Sequence, residues 1–406
     1  MRAGESTREL GVYVHIPFCE TLCPYCDFAV SVQREIPHQA YVDRVKAEIA
    51  ARAREFEGHR AVTIYFGGGT PSLLHVEALA ELLAAVREAV VVDPGVEITL
   101  EANPNQLSAP NLEAWRALGI ERLSVGCQSF NDRHLKALRR NHDRARALAG
   151  VERALAVMER VSIDLMFGGP GQTLSEWEED LGEMQRLVEE RGLSHVSAYN
   201  LTVEPGTAFW IRQKRGRLKL PEEDLSATML ERLGERAREV GLWRYEVSNY
   251  ARAGAESRHN SGYWLRRPYV GLGVGAHGLA VAADGRSRRR SNTRRYRAYM
   301  EQGDPGAPQS EERLSPRESF VEHLFLGARS RLGLDVGALL ESYAAVLSPR
   351  DEVRVWETLR ELAGLGLMEE VQGLWRPTLR GLDLGDTVAE RLFEAGSPEP
   401  SEGLSE

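Results

Sequence analysis

The sequence predicts an α/β protein: a partial (β/α)6 barrel followed by a C-terminal winged-helix-like α+β domain. Six short apolar segments alternate with helical patterns along the first half of the chain. A break rich in Gly and Pro then precedes three further helical patterns and a short hairpin. Parallel strands need long crossovers, so the alternation indicates a parallel sheet. Six units, rather than eight, favour an incomplete barrel.

The predicted strands are short apolar segments, and the stretches between them have helical periodicity. Apolar positions recur every three or four residues in segments such as 75–90 and 143–160. This spacing indicates helices with one buried face. The six predicted strands are GVYVHI (11–16), AVTIYF (61–66), VEITLEA (96–102), RLSVGCQSF (122–130), VSIDLMF (161–167) and HVSAYNLTV (195–203).

Segments rich in glycine and proline or in polar residues predict where the chain divides into domains. Residues 1–302 form the barrel domain, and the segment GDPGAPQS (303–310) is a linker without periodicity. Residues 311–390 form the C-terminal domain, which we expect to serve packing rather than DNA reading. The polar stretch 391–406 is predicted to be a disordered tail.

The composition excludes several classes of protein. The chain has 406 residues, a net charge of −9 and four cysteines. An acidic chain is a poor match for nucleic acid, which basic surfaces usually bind. The N-terminus lacks the apolar core of a secretory signal, and no run of about 18 apolar residues suggests a membrane-spanning helix. With so few cysteines, a reduced, cytoplasmic protein is expected.

Three of the four cysteines, Cys19, Cys23 and Cys26, form a Cys-x3-Cys-x2-Cys cluster after the first strand. Zinc would need a fourth ligand, for which His15 is the nearby candidate. Thiolates also hold iron–sulfur clusters, and three of them on a four-iron cluster leave one iron open to another ligand. The spacing, with Tyr25 before the third cysteine, resembles the radical S-adenosylmethionine (SAM) family. In that family the open iron binds the methionine moiety of SAM.

Polar and glycine residues follow four successive predicted strands. The segment YFGGGTPS ends the second strand, where Gly67–Gly69 let backbone amides approach a ligand and Thr70 adds a hydroxyl. Glu101 ends the third strand, Gln128 the fourth, and Asp164 lies within the fifth. Ligands of barrels and open α/β sheets bind at the carboxyl ends of strands. We therefore expect these residues to surround one ligand.

The motifs YVHIPFCETLCPYCDF, IYFGGGTPSLL, EANP, SVGCQSF, IDLMFGGPGQT and GLGVGAHG extend the resemblance to one branch of the family. That branch contains the anaerobic coproporphyrinogen III dehydrogenases and their relatives, and the likeness spans roughly residues 10–385. It implies a radical SAM barrel that carries a [4Fe-4S] cluster on the three cysteines. The residues it implies for SAM are Tyr13, Gly68, Gly69, Thr70, Glu101, Gln128, Arg140 and Asp164.

The segment RHNSGYW (258–264) is similar to the His-Asn-x-x-Tyr-Trp motif of the heme chaperones of the HemW type. An imidazole can ligate heme iron, and aromatic rings can cover the macrocycle. The resemblance therefore implies His259 as a heme ligand, whereas the residues alone favour a structural histidine beside two core aromatics. Phe28, where the dehydrogenases carry another cysteine, also favours the chaperones, as does the short segment before Cys19.

These observations predict a heme chaperone with a [4Fe-4S] cluster, SAM and heme as its cofactors. The resemblance implies transfer of heme to acceptor proteins of the respiratory chain, an electron donor, and membrane contact only through partners. The competing hypothesis is a coproporphyrinogen III dehydrogenase, and another radical SAM reaction on a tetrapyrrole is a third. Whether SAM is cleaved, and whether the chain forms a homodimer, stays open at this stage.

The sequence also predicts the structure of two further segments. The alternating glycines of GLGVGAHG lack dinucleotide-binding spacing and predict close backbone packing, with His277 facing the pocket. The basic run RSRRRSNTRR (286–295) is predicted to be a solvated loop. Contact with heme propionates or an acidic partner is the alternative for this run.

Overall fold

The computed structural model of the chain describes residues 8–398. Residues 1–7, on which the expectation about a secretory signal rests in part, and residues 399–406 of the predicted tail lie outside the described residues. The strands are β1 (Arg8–Ile16), β2 (Phe18–Cys19), β3 (Ser31–Val32), β4 (His59–Gly68), β5 (Val91–Ala102), β6 (Arg122–Gln128), β7 (Arg160–Phe167), β8 (His195–Asn200), β9 (Trp243–Arg244), β10 (Asn249–Ala251), β11 (Tyr269–Leu272), β12 (His277–Val281), β13 (Ser287–Ser291), β14 (Ser310–Leu314), β15 (Met368–Val371) and β16 (Leu374–Pro377).

Helices cover the sheet and build the C-terminal part of the chain. The α-helices are α1 (His38–Ala51), α2 (Val76–Ala89), α3 (Ala109–Ala117), α4 (Asp132–Ala137), α5 (Arg144–Val157), α6 (Leu174–Arg191), α7 (Ala208–Lys214), α8 (Glu223–Glu239), α9 (Arg258–Trp264), α10 (Tyr296–Glu301), α11 (Pro316–Gly327), α12 (Val336–Ser342), α13 (Pro349–Gly364), α14 (Leu379–Asp383) and α15 (Gly385–Gly396).

The largest sheet has the strand order β14-β13-β12-β11-β1-β4-β5-β6-β7-β8-β10-β9. The six strands from β1 to β8 in this order are parallel, and each corresponds to one predicted strand. The predicted partial (β/α)6 barrel is therefore confirmed. β11 adds a further parallel strand beside β1, and β12, β13 and β14 continue from it as an antiparallel extension.

Apolar side chains on the outer face of the barrel pack against the helices. Val12, Ile64 and Val125 are fully buried, as is Trp177 of α6. Burying a large apolar side chain contributes about 1.5–3 kcal/mol relative to leaving it exposed. α6 begins with a capping box, in which Thr173 accepts the backbone N–H of its third residue, and it ends at a left-handed glycine. These signals fix the length of the crossover between β7 and β8.

The interior of the barrel is polar, unlike the aliphatic interior of most barrels. A cavity of about 50 Å³ lies inside it, large enough for about three water molecules. Every side chain around it carries a hydroxyl, carboxyl, amide, imidazole or guanidinium group. The lining consists of Tyr65, Thr99, Glu101, Arg122, Ser124, Ser162, Asp164, His195, Ser197, Tyr199, Ser257 and Asn260.

The C-terminal part has an apolar core of its own, formed by α11–α13, α15 and the hairpin β15–β16. The three helices α11–α13 and the hairpin that follows them match the predicted winged-helix-like character, and α15 packs against the same core. Contacts join it to the barrel: the Arg266 side chain donates to Glu322 at 2.7 Å, and the guanidinium of Arg244 pairs with Asp383. The assignment of residues 303–310 as a linker between two domains stays a prediction.

Two sequence expectations need correction. Residues 391–396 belong to α15 rather than to a disordered tail, since Leu392 and Ala395 pack into the C-terminal core. The basic run is not a solvated loop, because β13 occupies its centre. Its arginines pair with glutamates, as Arg289 does with Glu312 on the neighbouring strand β14 and Arg290 with Glu55. These glutamates thus neutralise positive charge of the basic run.

Candidate functional site

The three clustered cysteines lie on a loop whose two ends are fastened together. β2 and β3 pair in parallel, which brings Phe18 beside Ser31 and Cys19 beside Val32. All three thiols line a cavity of about 450 Å³ at the carboxyl ends of the barrel strands. Among the described residues, no three His, Cys, Asp or Glu side chains are close enough to hold a single metal ion. Cys19, Cys23 and Cys26 are free thiols that border the same cavity.

The surroundings of the thiols fit thiolates that are coordinated to a metal. Burial raises the pKa of Cys19 to about 11 and also raises the pKa of Cys26. Free thiols in these positions stay protonated near neutral pH, whereas coordination to a metal removes the proton. The Thr70 hydroxyl lies 3.8 Å from Cys19 Sγ, and the Arg140 guanidinium lies 3.6 Å from Cys23 Sγ. Both groups can donate hydrogen bonds to thiolate sulfur.

The glycine-rich segment brings its backbone close to the cysteine loop and to Glu101. A Cβ at Gly69 would lie 2.7–2.8 Å from backbone atoms of Pro17 and Phe18, so only glycine fits there. The Gly68 amide donates to Glu101 at 2.9 Å, and the Tyr65 hydroxyl donates to the other carboxylate oxygen at 2.9 Å. Burial raises the pKa of Glu101 to about 7. The carboxylate is thus fixed in place at the wall of the cavity.

Gln128, Arg140 and Asp164 complete the predicted set around this cavity. Gln128 has φ of 65°, a left-handed conformation that is rare outside glycine and is often found at functional sites. Arg140 Nη2 donates to Asn103 Oδ1 at 2.6 Å and to the Gly126 carbonyl at 2.9 Å. Asp164 accepts the Ser124 hydroxyl at 3.0 Å, and burial raises its pKa. The structure therefore brings seven of the eight residues implied for SAM to one cavity.

The eighth residue, Tyr13, does not line that cavity. Its hydroxyl is 3.0 Å from His15 Nδ1, and its ring stacks on Tyr65 with centroids 6.0 Å apart. His15 in turn contacts the Ala29 carbonyl through Nε2 at 2.9 Å. Tyr13 is therefore linked to the cysteine loop through His15, which lies behind the cavity wall.

His259 is enclosed in the barrel, where α9 enters from the side opposite the cysteines. Its ring is 3 % exposed, with Nδ1 2.8 Å from the Thr63 hydroxyl and Nε2 2.8 Å from the Tyr263 hydroxyl. Burial lowers the pKa of His259 to about 3. Both nitrogens are occupied, and Tyr65 stacks on the ring with centroids 4.9 Å apart. The surroundings of His259 therefore do not fit a heme, which would have to displace these contacts.

Several residues of the cavity were missed by the sequence analysis. Asn103 holds Arg140, while Tyr199 and Asn200 end β8 at the cavity wall. The segment SAYN carried the same signal as the earlier strands, polar residues at the end of an apolar run. The exposed apolar side chains of Leu22 and Phe28 also border the cavity.

Comparison with known proteins agrees with this arrangement. Residues 13–184 match the radical SAM superfamily. The heme chaperone HemW of Lactococcus lactis is 34% identical over 382 residues, which cover 94% of this chain and 96% of that protein. The chain belongs to the HemW type of radical SAM proteins. HemW of Mycobacterium tuberculosis is 40% identical over 272 residues, covering 66% of this chain and 69% of that protein.

The HemW-type chain also resembles a solved structure. Coproporphyrinogen III oxidase (HemN) from Escherichia coli, described as a radical SAM enzyme, superposes with a TM-score of 0.79 at 22% identity. The match covers 96% of this chain and 91% of HemN, and it supports the fold alone. Within residues 8–398, no helix is both long and apolar enough to cross a bilayer.

Proposed function

We propose that this HemW-type chain is a cytoplasmic heme chaperone, which binds heme and passes it to acceptor proteins of the respiratory chain. The observation that carries the proposal is the nearly full-length similarity to proteins named heme chaperone HemW. Fold similarity to HemN cannot separate a chaperone from a dehydrogenase. Phe28, at the position of an additional cysteine in the dehydrogenases, supports the chaperone.

The cavity residues support a [4Fe-4S] cluster on Cys19, Cys23 and Cys26, with SAM as the fourth ligand. Bound there, the cluster would supply an electron to the SAM sulfonium. On the protein side, Arg140 and Thr70 would stabilise the negative charge of the thiolates by donating to sulfur. The chain needs an electron donor for this chemistry, and any membrane contact would come through its partners.

The remaining residues of the cavity would position SAM. The fixed carboxylate of Glu101 can accept both ribose hydroxyls when it is ionised. Gly68 and Gly69 line the same cavity, where the Gly68 amide holds the Glu101 carboxylate in place. Gln128 and Asp164 offer further polar contacts in the same cavity.

An anaerobic heme titration of the cluster-reconstituted protein, followed by the Soret band, tests the proposal. We expect saturable binding, and transfer of the bound heme to a heme-free respiratory acceptor. Serine at all three cysteines should slow transfer at least tenfold in a protein that still folds. Unsaturable heme binding together with turnover of coproporphyrinogen III would overturn the chaperone in favour of the dehydrogenase.

A further inference from the structure

A heme chaperone needs an iron ligand that can be reached from outside, which His259 is not. Both of its nitrogens are hydrogen-bonded inside the barrel. The histidines of the described residues differ in exposure and in hydrogen bonding. His195 is buried with both nitrogens bonded, and His134 is buried beside the backbone of Gly169. The exposed histidines are His75 and His277.

These two exposed histidines differ in what surrounds them. The ring of His75 stacks on the ring of His38 with centroids 3.7 Å apart, and this pair covers both rings on one side. Within residues 8–398, the imidazole of His277 has no hydrogen-bond partner, so both of its nitrogens are accessible. His277 is thus the exposed histidine with an unstacked ring.

His277 begins β12, directly after a turn that packs against the cysteine loop. A Cβ at Gly275 would lie 2.6 Å from the Ala29 Cβ, which shows how closely the two segments approach. Arg294 reaches from the other side of this turn and donates to the Asp27 carbonyl. The residue after Asp27 is Phe28, an apolar ring that is 63 % exposed.

Strand pairing defines the face on which His277 lies. Leu279 pairs with Tyr269, and residues two apart on a strand share a face. His277 therefore lies on the same face as Tyr269, whose ring packs edge-on against that of Tyr263 with centroids 4.7 Å apart. Gly271 pairs with Tyr13 on that face. Tyr13 and Tyr269 are largely covered there, whereas His277 is exposed, so a ligand would reach His277 from its open side beside the cysteine loop.

We propose that His277 ligates the heme iron, with the macrocycle against Phe28 and a propionate on Arg294. The proposal rests on the heme-chaperone function and names the binding site for it. Heme would then lie beside the cysteine loop, on the outer surface of the protein. A heme in this position can be handed to an acceptor without opening the barrel.

The electrostatic surroundings agree with this role. Burial, Arg294 and Arg289 lower the pKa of His277, so the imidazole is neutral at pH 7 and its lone pair is free for iron. The side chain of Arg294 donates to the Asp27 carbonyl and lies 3.8 Å from the Asp27 carboxylate, but it is 62 % exposed, which leaves further N–H groups for a propionate carboxylate. Arg289 is already paired with Glu312 and Glu322 and is not assigned to the ligand.

The test compares His277→Ala with His259→Asn and His75→Ala in the full-length, cluster-reconstituted protein. Asparagine at 259 can keep the hydrogen bond to Thr63, and His75 is the matched exposed control. We expect His277→Ala to weaken heme binding at least tenfold and to change the Soret position and the electron paramagnetic resonance signal of ferric heme. The other two variants should keep the wild-type spectra.

A second measurement addresses the propionate. Arg294→Gln should weaken binding of heme but leave unchanged the binding of heme dimethyl ester, in which the propionates carry no charge. Wild-type affinity and spectra in His277→Ala, or a ligand change confined to His259→Asn, would overturn the site. Absence of saturable binding in the wild type would instead overturn the chaperone function itself, so the two failures are distinguishable.

Discussion

Glu101 lines the cavity proposed to hold SAM, so a change in its own ionisation would change the binding of SAM. Its pKa is raised to about 7, so the carboxylate is mostly protonated at pH 6 and ionised at pH 8. Only the ionised form accepts both ribose hydroxyls, so we expect SAM affinity to fall about tenfold between pH 8 and pH 6. Equilibrium dialysis of labelled SAM against the reconstituted protein measures this change. Glu101→Gln should bind SAM more weakly, with no such dependence; equal pH slopes in both proteins would contradict the assignment.

His259 stabilises the barrel from inside. We expect His259→Ala to lower the free energy of unfolding by about 3 kcal/mol, because it leaves the Thr63 and Tyr263 hydroxyls buried without a partner. Urea denaturation measures the loss. The exposed His277→Ala is the control and should change the unfolding free energy by less than about 0.5 kcal/mol. Equal losses of unfolding free energy in the two variants would show that the buried contacts of His259 do not stabilise the barrel.

At the scale of elements, β11 and β12 approach unusually closely. A Cβ at Gly271 would lie 1.8 Å from the His277 carbonyl oxygen, so Gly271→Ala forces the two strands apart. We expect a loss of about 3 kcal/mol or more and faster amide hydrogen exchange along β12–β14. Gly182→Ala in α6, with nothing within 4 Å, is the matched control and should be neutral or stabilising by up to about 1 kcal/mol. Unchanged amide hydrogen exchange in β12 would show that the close approach of Gly271 to His277 does not hold the antiparallel extension β12–β14 in place.

The elements that the sequence predicted correctly are those whose signal is local. The six barrel strands are apolar runs, and the polar groups at their ends meet at one edge because parallel strands end there. The antiparallel extension was not predicted, since the arginines of β13 look like a solvated loop until Glu311 and Glu312 on β14 are placed opposite them. Likewise, no local pattern in residues 258–264 shows that α9 enters the barrel and closes around His259. Both features depend on contacts between distant parts of the chain.

At the scale of the whole molecule, Glu322 of α11 joins the C-terminal part to the barrel. It pairs with Arg266, a residue 4 % exposed, and also with Arg289. Glu322→Gln leaves the buried Arg266 without its counter-ion, a change that costs about 3–5 kcal/mol. We expect calorimetry to resolve two unfolding transitions in this variant and one in the wild type.

The control for this experiment is Asp386→Asn, which removes a partner of Arg329 whose own side chain is 89 % exposed. Exposed ion pairs contribute about 0–1 kcal/mol, so this variant should unfold as the wild type does. A single transition in both variants would show that other contacts, such as that of Arg244 with Asp383, suffice to couple the two parts.

The polar interior of the barrel has a thermodynamic consequence. Exposure of apolar surface on unfolding raises the heat capacity, whereas exposure of polar surface lowers it. The side chains around the small interior cavity all carry polar groups where most barrels have aliphatic ones. We therefore expect the heat-capacity change of unfolding to fall below the usual ~12–15 cal/mol/K per residue. The resulting stability curve would be flatter than that of a barrel with an aliphatic interior, and differential scanning calorimetry measures the heat-capacity change that decides this.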